Sequence, residues 1–285
     1  MLPSITIQYT QAGSLLERLE AIKEAGFTAV NLGSPMCLHL LQSTAGEIGV
    51  LQALLRQRGL AVDWLHAPYE TPVLYEADSE RGALSVGALK TAITIAAELE
   101  ANSLIVHPFD LDFPPGIDGD GPVGRLIETF SVLVEYGQRF GVDIAVENID
   151  EPHSTRILDR LFAGVEGLRL CFDTGHAHEW RTWNHYLPAY LGRIAALHIH
   201  DNHGETDEHL LPGDGNIDFL PLLRSLQSIN YRGFLGIECI QQRGNYPGGC
   251  RDLATTIGER MARLLEKADK GGPASMREPG VSPGR

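Results

Sequence analysis

Two hydrophobic rhythms alternate along the chain. Short β-branched runs, suited to buried parallel strands, recur at 5–8, 28–33, 61–66, 103–107, 142–147, 168–173, 194–200 and 233–238. Longer segments with apolar residues at helical spacing fill 14–26, 45–59, 79–100, 124–141, 154–164, 219–229 and 251–268. Gly26, Gly59, Gly141 and Gly164 close four of them, where a helix C-cap favours glycine. Eight strands each followed by a helix-sized segment predict an α/β single-domain (β/α)8 TIM barrel over residues 1–267. Residues 268–285, rich in Gly, Pro and Ser without an apolar period, predict a flexible C-terminal tail. A doubly wound sheet is the competing fold, but no GxGxxG follows the first strand and no GxxxxGK[ST] occurs.

The strands stop on polar residues. The third ends at His66, the fourth at His107, the fifth at Glu147 and the sixth at Asp173; the seventh carries His198 and His200, and the eighth ends at Glu238. Side chains two apart on a strand share a face. Ala145 and Glu147 are therefore expected to face the barrel axis and Ile144 and Val146 the helices, with His198 and His200 inward and Leu197 and Ile199 outward. One carboxylate after a strand is most often a helix N-cap, and one strand-end histidine a hydrogen-bonded core residue. Six consecutive strands ending in metal-ligand types on the inward parity do not fit unrelated caps. Charges so gathered would repel one another without cations, so the pattern predicts a metal site at the C-terminal mouth.

Charge and composition narrow the partners. Residues 197–219, LHIHDNHGETDEHLLPGDGNIDF, hold four of the 11 histidines and six carboxylates, either a solvated acidic loop or the rim of that site. A formal charge of −14 argues against a general nucleic-acid or membrane-surface role. The start, MLPSITIQYT, lacks the basic and apolar regions of a secretory signal, and no apolar run is long enough to span a bilayer. The four cysteines, Cys37, Cys171, Cys239 and Cys250, lie far apart and read as reduced thiols of a cytoplasmic protein. A homo-oligomer is compatible with all of this.

HAPY (66–69), IVHP (105–108), AVEN (145–148), CFDTGHAH (171–178), LHIHDN (197–202), DEHLLPGDGNIDF (207–219) and GIE (236–238) fall in order, one per strand end or following loop. This ordered set resembles the xylose isomerase-like barrels, which include sugar isomerases and epimerases, inosose dehydratases and endonuclease IV enzymes. In the sugar-acting branch the resemblance implies one divalent ion, Mn²⁺, Co²⁺ or Zn²⁺, on Glu147, Asp173, His198 and Glu238. In the endonuclease branch it implies up to three zinc ions, the further two on His66 and His107 with Glu147 bridging, and on His176, Asp207 and His209. Asp201 would then orient His198 or a neighbour from behind.

Two functions follow from one ligand set. The first is a metal-dependent sugar, sugar phosphate or polyol isomerase or epimerase working through an enediolate, with Glu147 and Glu238 as the acid–base pair. His176, His200 and Arg243 are candidate contacts to substrate hydroxyls. Trp183 is a candidate for the sugar's apolar face, with loop packing as its competing role. The second is a multi-zinc phosphodiesterase or phosphoryl hydrolase. Against a nucleic-acid substrate stand only 23 Lys and Arg in the chain, none of them in QYTQAGS or GSPMCLHLLQSTA. A non-catalytic metal-binding scaffold fits least, because it has no need of glutamates on two sides of the site.

Overall fold

The computed structural model describes residues 1–69, 74–76, 79–109, 116–149, 153–240 and 248–270. Eight parallel strands run β1 (Leu2–Thr6), β2 (Ala29–Leu32), β3 (Ala61–His66), β4 (Ser103–Val106), β5 (Asp143–Glu147), β6 (Arg169–Asp173), β7 (Ile194–His198) and β8 (Phe234–Ile237). They form one sheet in the order β7-β6-β5-β4-β3-β2-β1-β8. Past β7 the two ends meet: Ile199 N donates to Gly236 O at 2.7 Å, and Glu238 N donates to Ile199 O at 3.1 Å. The fold is thus a (β/α)8 barrel, drawn shut where its polar strand ends lie. Glycine is required at this seam, because a Cβ on Gly236 would fall 2.3 Å from Leu197 O and 2.5 Å from Trp64 Nε1.

The described helices are α1 (Leu15–Glu24), α2 (Ser34–Leu41), α3 (Ala45–Gln57), α4 (Glu80–Glu98), α5 (Asp120–Phe140), α6 (Ser154–Gly164), α7 (Thr174–Glu179), α8 (Trp183–Tyr190), α9 (Leu220–Ser228) and α10 (Cys250–Lys270). Ser14 with Glu17 and Thr44 with Glu47 close capping boxes that fix the starts of α1 and α3. Two apolar layers divide the strand side chains. Trp64, Ile105, Ala145, Cys171 and Ala196 fill the barrel, while Ile144, Val146 and Leu197 join the layer beneath the helices. The parity expected for β5 and β7 is the one observed.

The differences from the sequence expectation have local causes. β1 starts at Leu2, not residue 5, because Leu2 to Ile5 pair with Phe234 to Ile237; Pro3 masks the strand in the pattern. α2 begins at Ser34 in a segment read as loop, with Gly33 as its N-cap and proline in its first turn. α7 follows β6 with no linker, and α8 adds a second short helix before β7. Gly26, Gly59 and Gly141 adopt positive φ past their helices, but Gly164 does not. Its helix ends on extended Val165, and Gly164 instead admits Ile127, whose side chain would lie 3.0 Å from a Cβ there. α10 runs to Lys270, and residues 271–285 of the expected tail lie outside the described residues. No described helix is long and apolar enough to cross a membrane.

Deep in β3, Asp63 accepts hydrogen bonds from Ser4 Oγ at 2.9 Å and from Asn102 Nδ2 at 3.4 Å. Burial pushes its carboxyl up from 3.8 to about 6, a rise only partly offset by these two bonds and by the His198 imidazole. A raised folded value means that stability is fully present below the unfolded value and is lost as pH climbs through the folded one. The rise corresponds to about 3 kcal/mol. Asp63→Asn is therefore expected to match the parent near pH 4 and to exceed it by up to about 3 kcal/mol near pH 7 in urea titrations. An equal gap at both pH values would show that Asp63 titrates alike in the folded and unfolded chains, and so that burial does not raise it.

Candidate metal centre

Inward parity at the ends of β3 to β8 brings their polar residues to one place. Glu147, at the end of β5 and only 2% exposed, stands at the middle. Its Oε2 lies 3.1 Å from His66 Nε2 and 3.1 Å from His107 Nε2. Its Oε1 faces the other way, 3.2 Å from His198 Nδ1. That same Nδ1 lies 3.4 Å from Asp173 Oδ2 and 3.0 Å from Glu238 Oε2. Three carboxylates from β5, β6 and the end of β8 therefore converge on one imidazole nitrogen.

One nitrogen carries at most one proton and cannot satisfy three anions. Burial alone would push Glu147 up, but the His198 and His107 imidazoles hold it well below the usual carboxylate range. Asp173 is likewise held down against its burial, by His176 and His200. His198 is shifted the opposite way: burial works to lower it, yet Cys171, Glu147 and Glu238 raise it well above its ordinary value. His107 is pushed down by burial, which Glu147 only partly offsets. Around His198 Nδ1 three carboxylates share one imidazole, which carries at most one positive charge. The chemistry of the set, three carboxylates and an imidazole with His198 Nε2 buried and unpartnered, fits a divalent cation. Asp173, His198 and Glu238 form one group with ligand atoms close enough to hold an ion, and His66, His107 and Glu147 form another.

The loop after β7 brings further donors. His209 Nε2 lies 2.8 Å from Asp207 Oδ2, and His209 Nδ1 lies 2.9 Å from the Glu238 carbonyl. His176 Nε2 is 4.0 Å from the same Asp207 oxygen, while its Nδ1 faces the Asn148 carbonyl at 2.9 Å. Burial opposes the shift, but Asp207 and Glu238 raise His209. Asp201, expected to orient His198 or a neighbouring ligand, instead binds backbone N–H groups. Its carboxylate accepts Asn202 N, Gly213 N and Ile217 N at 3.0, 2.8 and 3.0 Å and so shapes the loop itself.

The nine residues proposed as ligands from sequence thus sit in one contiguous cluster. The expected substrate contacts scatter. His176 remains at the rim with its side chain 12% exposed. His200 is fully buried against Asp173, out of reach of a substrate. Trp183 packs edge-on against Phe172 at 5.2 Å, in the layer beneath the helices, as loop packing would have it. Arg243 lies outside the described residues.

Four neighbours escaped sequence reasoning. Asn148 binds the Asp173 backbone on both sides, its Oδ1 accepting Asp173 N at 2.8 Å and its Nδ2 donating to Asp173 O at 2.9 Å. Thr174 Oγ1 donates to the His200 carbonyl at 2.8 Å. Trp64 lies under the His198 ring at 4.8 Å, and Tyr69 stacks on His107 at 5.2 Å. Asn148, Thr174 and Tyr69 each follow a candidate ligand by one to three residues, which was the available signal.

The family model described as xylose isomerase-like TIM barrel matches residues 19–267. Fructoselysine 3-epimerase from Shigella flexneri is 26% identical over 202 residues, 65% of this chain and 68% of that protein. A "Probable endonuclease 4" from Lysinibacillus sphaericus is 27% identical over 187 residues, 58% of this chain and 61% of that protein. The crystal structure of a D-tagatose 3-epimerase-like protein superposes with a TM-score of 0.76 at 23% identity, covering 95% of this chain and 99% of that one.

Asn148→Ala would leave the buried N–H and carbonyl of Asp173 without their partner. Each orphaned group costs about 1–3 kcal/mol, so urea denaturation is expected to register a loss of about 2–4 kcal/mol. A loss under about 0.5 kcal/mol would mean that another group holds the Asp173 backbone.

Proposed function

The chain belongs to the xylose isomerase-like TIM barrel family, and from that premise we propose that it is a divalent-metal-dependent sugar isomerase or epimerase. The observation that carries this reading is the convergence of Glu147, Asp173 and Glu238 on His198 Nδ1 at 3.0–3.4 Å. These four would hold the ion, Mn²⁺, Co²⁺ or Zn²⁺. When bound, it would supply a positive centre for charge developing on adjacent substrate oxygens.

The proton chemistry falls to this chain's glutamates. Glu147 on β5 and Glu238 at the end of β8 come from different strands and meet at His198 Nδ1. One carboxylate takes the proton from the carbon beside the substrate carbonyl, and the C–H electron pair passes into an enediolate. The other, as the acid, returns a proton to carbon. Return to the opposite face of the same carbon is epimerisation, and return to the neighbouring carbon is aldose–ketose isomerisation. Glu238, with its side chain 19% exposed, meets the mouth, while Glu147 lies deeper. His176 at the rim is placed to contact a substrate hydroxyl. Four free cysteines suit a reducing, cytoplasmic setting.

A second reading has its own observation. Glu147 turns Oε2 to His66 and His107 and Oε1 to His198, the arrangement of a carboxylate able to bridge two cations. With His176, Asp207 and His209 alongside, this favours a multi-zinc phosphoryl hydrolase. The formal charge of −14 weighs against a nucleic-acid substrate for it.

Elemental analysis of protein loaded with zinc, manganese and cobalt and then desalted separates the two. About one ion per chain is expected on the sugar reading, and about three zinc ions would replace it with the hydrolase. Glu238→Gln is expected to lower kcat on a responsive ketose by about 10²–10⁴-fold without loss of fold. Unchanged kinetics would remove Glu238 from the acid–base pair. His209→Ala is expected to leave the single ion and turnover in place; loss of an ion together with activity would defeat the single-metal reading.

A further inference from the structure

His200 is the buried histidine that neither reading uses. It is fully buried, yet it touches both halves of the site. Its Nε2 lies 3.2 and 3.1 Å from the two Asp173 oxygens. One face of its ring stacks on His209, with centroids 4.0 Å apart and planes 5° from parallel. The backbone is fixed as well, because His200 N donates to Thr174 Oγ1 at 3.2 Å and Thr174 Oγ1 donates to His200 O at 2.8 Å. Gly175 makes room for the ring: a Cβ there would fall 1.9 Å from His200 Cε1.

We propose that His200 is a positioning residue that orients the Asp173 carboxylate for ion binding and, through its stacked ring, seats the loop residue His209 over the site. The proposal rests on the metal-dependent reading above. Asp173 accepts His176 N on Oδ1 at 2.7 Å, a bond that makes it the N-cap of α7. That bond alone leaves the carboxylate free to swing about its Cβ–Cγ bond. A donor within reach of both oxygens from the β7 side fixes the plane, and Nε2–H of His200 is that donor. His209 needs a comparable anchor. It holds a left-handed φ of 51°, unfavourable for a residue with a Cβ, and persists there through its bonds to Asp207 and the Glu238 carbonyl and through the ring beneath it. Strand ligands and loop ligands are thereby joined through one imidazole.

Two substitutions separate the two contacts. His200→Gln keeps an N–H that reaches Asp173 but loses the flat ring. His200→Phe keeps the ring but loses the N–H. Zinc affinity, measured by competition with a chromophoric chelator, reads the first contact. Amide hydrogen exchange over residues 203–210 of the zinc-free protein reads the second. The glutamine variant is expected to bind zinc within about threefold of the parent, with faster exchange in the loop. The phenylalanine variant is expected to keep the parent's exchange and to bind zinc about 10–100-fold more weakly. Any other pattern overturns the proposal: parental behaviour in both variants makes His200 dispensable, and equal loss of both readouts reduces it to core packing. If the parent binds no zinc, manganese or cobalt, the metal-dependent reading fails by itself, and slower loop exchange in the phenylalanine than in the glutamine variant still decides the stacking contact.

Discussion

A carboxylate buried at the mouth of a barrel is the constraint on which the rest of the site depends. Glu147 is shielded from water and cannot be left alone there, since an unpaired buried charge costs far more than a hydrogen bond returns. The structure surrounds it with imidazoles on both sides, His66 and His107 on one oxygen and His198 on the other. His198 is then shared with Asp173 and Glu238, and three carboxylates on one imidazole call for a cation. Each neighbour has a structural consequence. Asp173 doubles as the N-cap of α7, so its strand passes into a helix with no linker. Glu238 hangs from the seam that closes the barrel, which is why β8 carries Gly236 where Trp64 and Leu197 press in.

Much of this was legible from the sequence because strand parity is a strict rule. Once β5 and β7 were placed, Glu147 and His198 had to face inward with Ala145 and Ala196, and they do. The family resemblance then tied the strand ends to one another in order. What the sequence hid is what periodicity does not encode. Helix α7 is only six residues long and spans the polar run TGHAHE, Thr174 to Glu179, so no apolar stripe marks it. Trp183 and His200 look like mouth residues by position in the chain, but their side chains point into packing. Direction at a loop or short helix depends on tertiary contacts, and no local pattern records those.

Asp201 shows the same limit from another side. It stands one residue from His200, in a stretch dense with candidate ligands, and its type suited a role behind His198. Its oxygens instead gather three backbone N–H groups of the long loop. A carboxylate that satisfies backbone donors fixes loop shape more firmly than one that shares a proton with a mobile side chain. The loop needs that firmness, since it delivers Asp207 and His209 to the site from a segment without regular secondary structure.

The two functional readings differ in how Glu147 spends its two oxygens. With one ion, the His66 and His107 side serves as a hydrogen-bonded wall that keeps the carboxylate ionised and oriented. With more, the same imidazoles become ligands and Glu147 a bridge. A carboxylate that bridges two ions would have both oxygens on cations and make a weak base. One held on a single ion would keep an oxygen engaged only by hydrogen bonds, which can yield to a proton from carbon. Ion count and proton chemistry are therefore linked through one side chain. A barrel that fills its His66–His107 position gives up Glu147 as a base, and one that leaves it to hydrogen bonding retains the acid–base pair with Glu238.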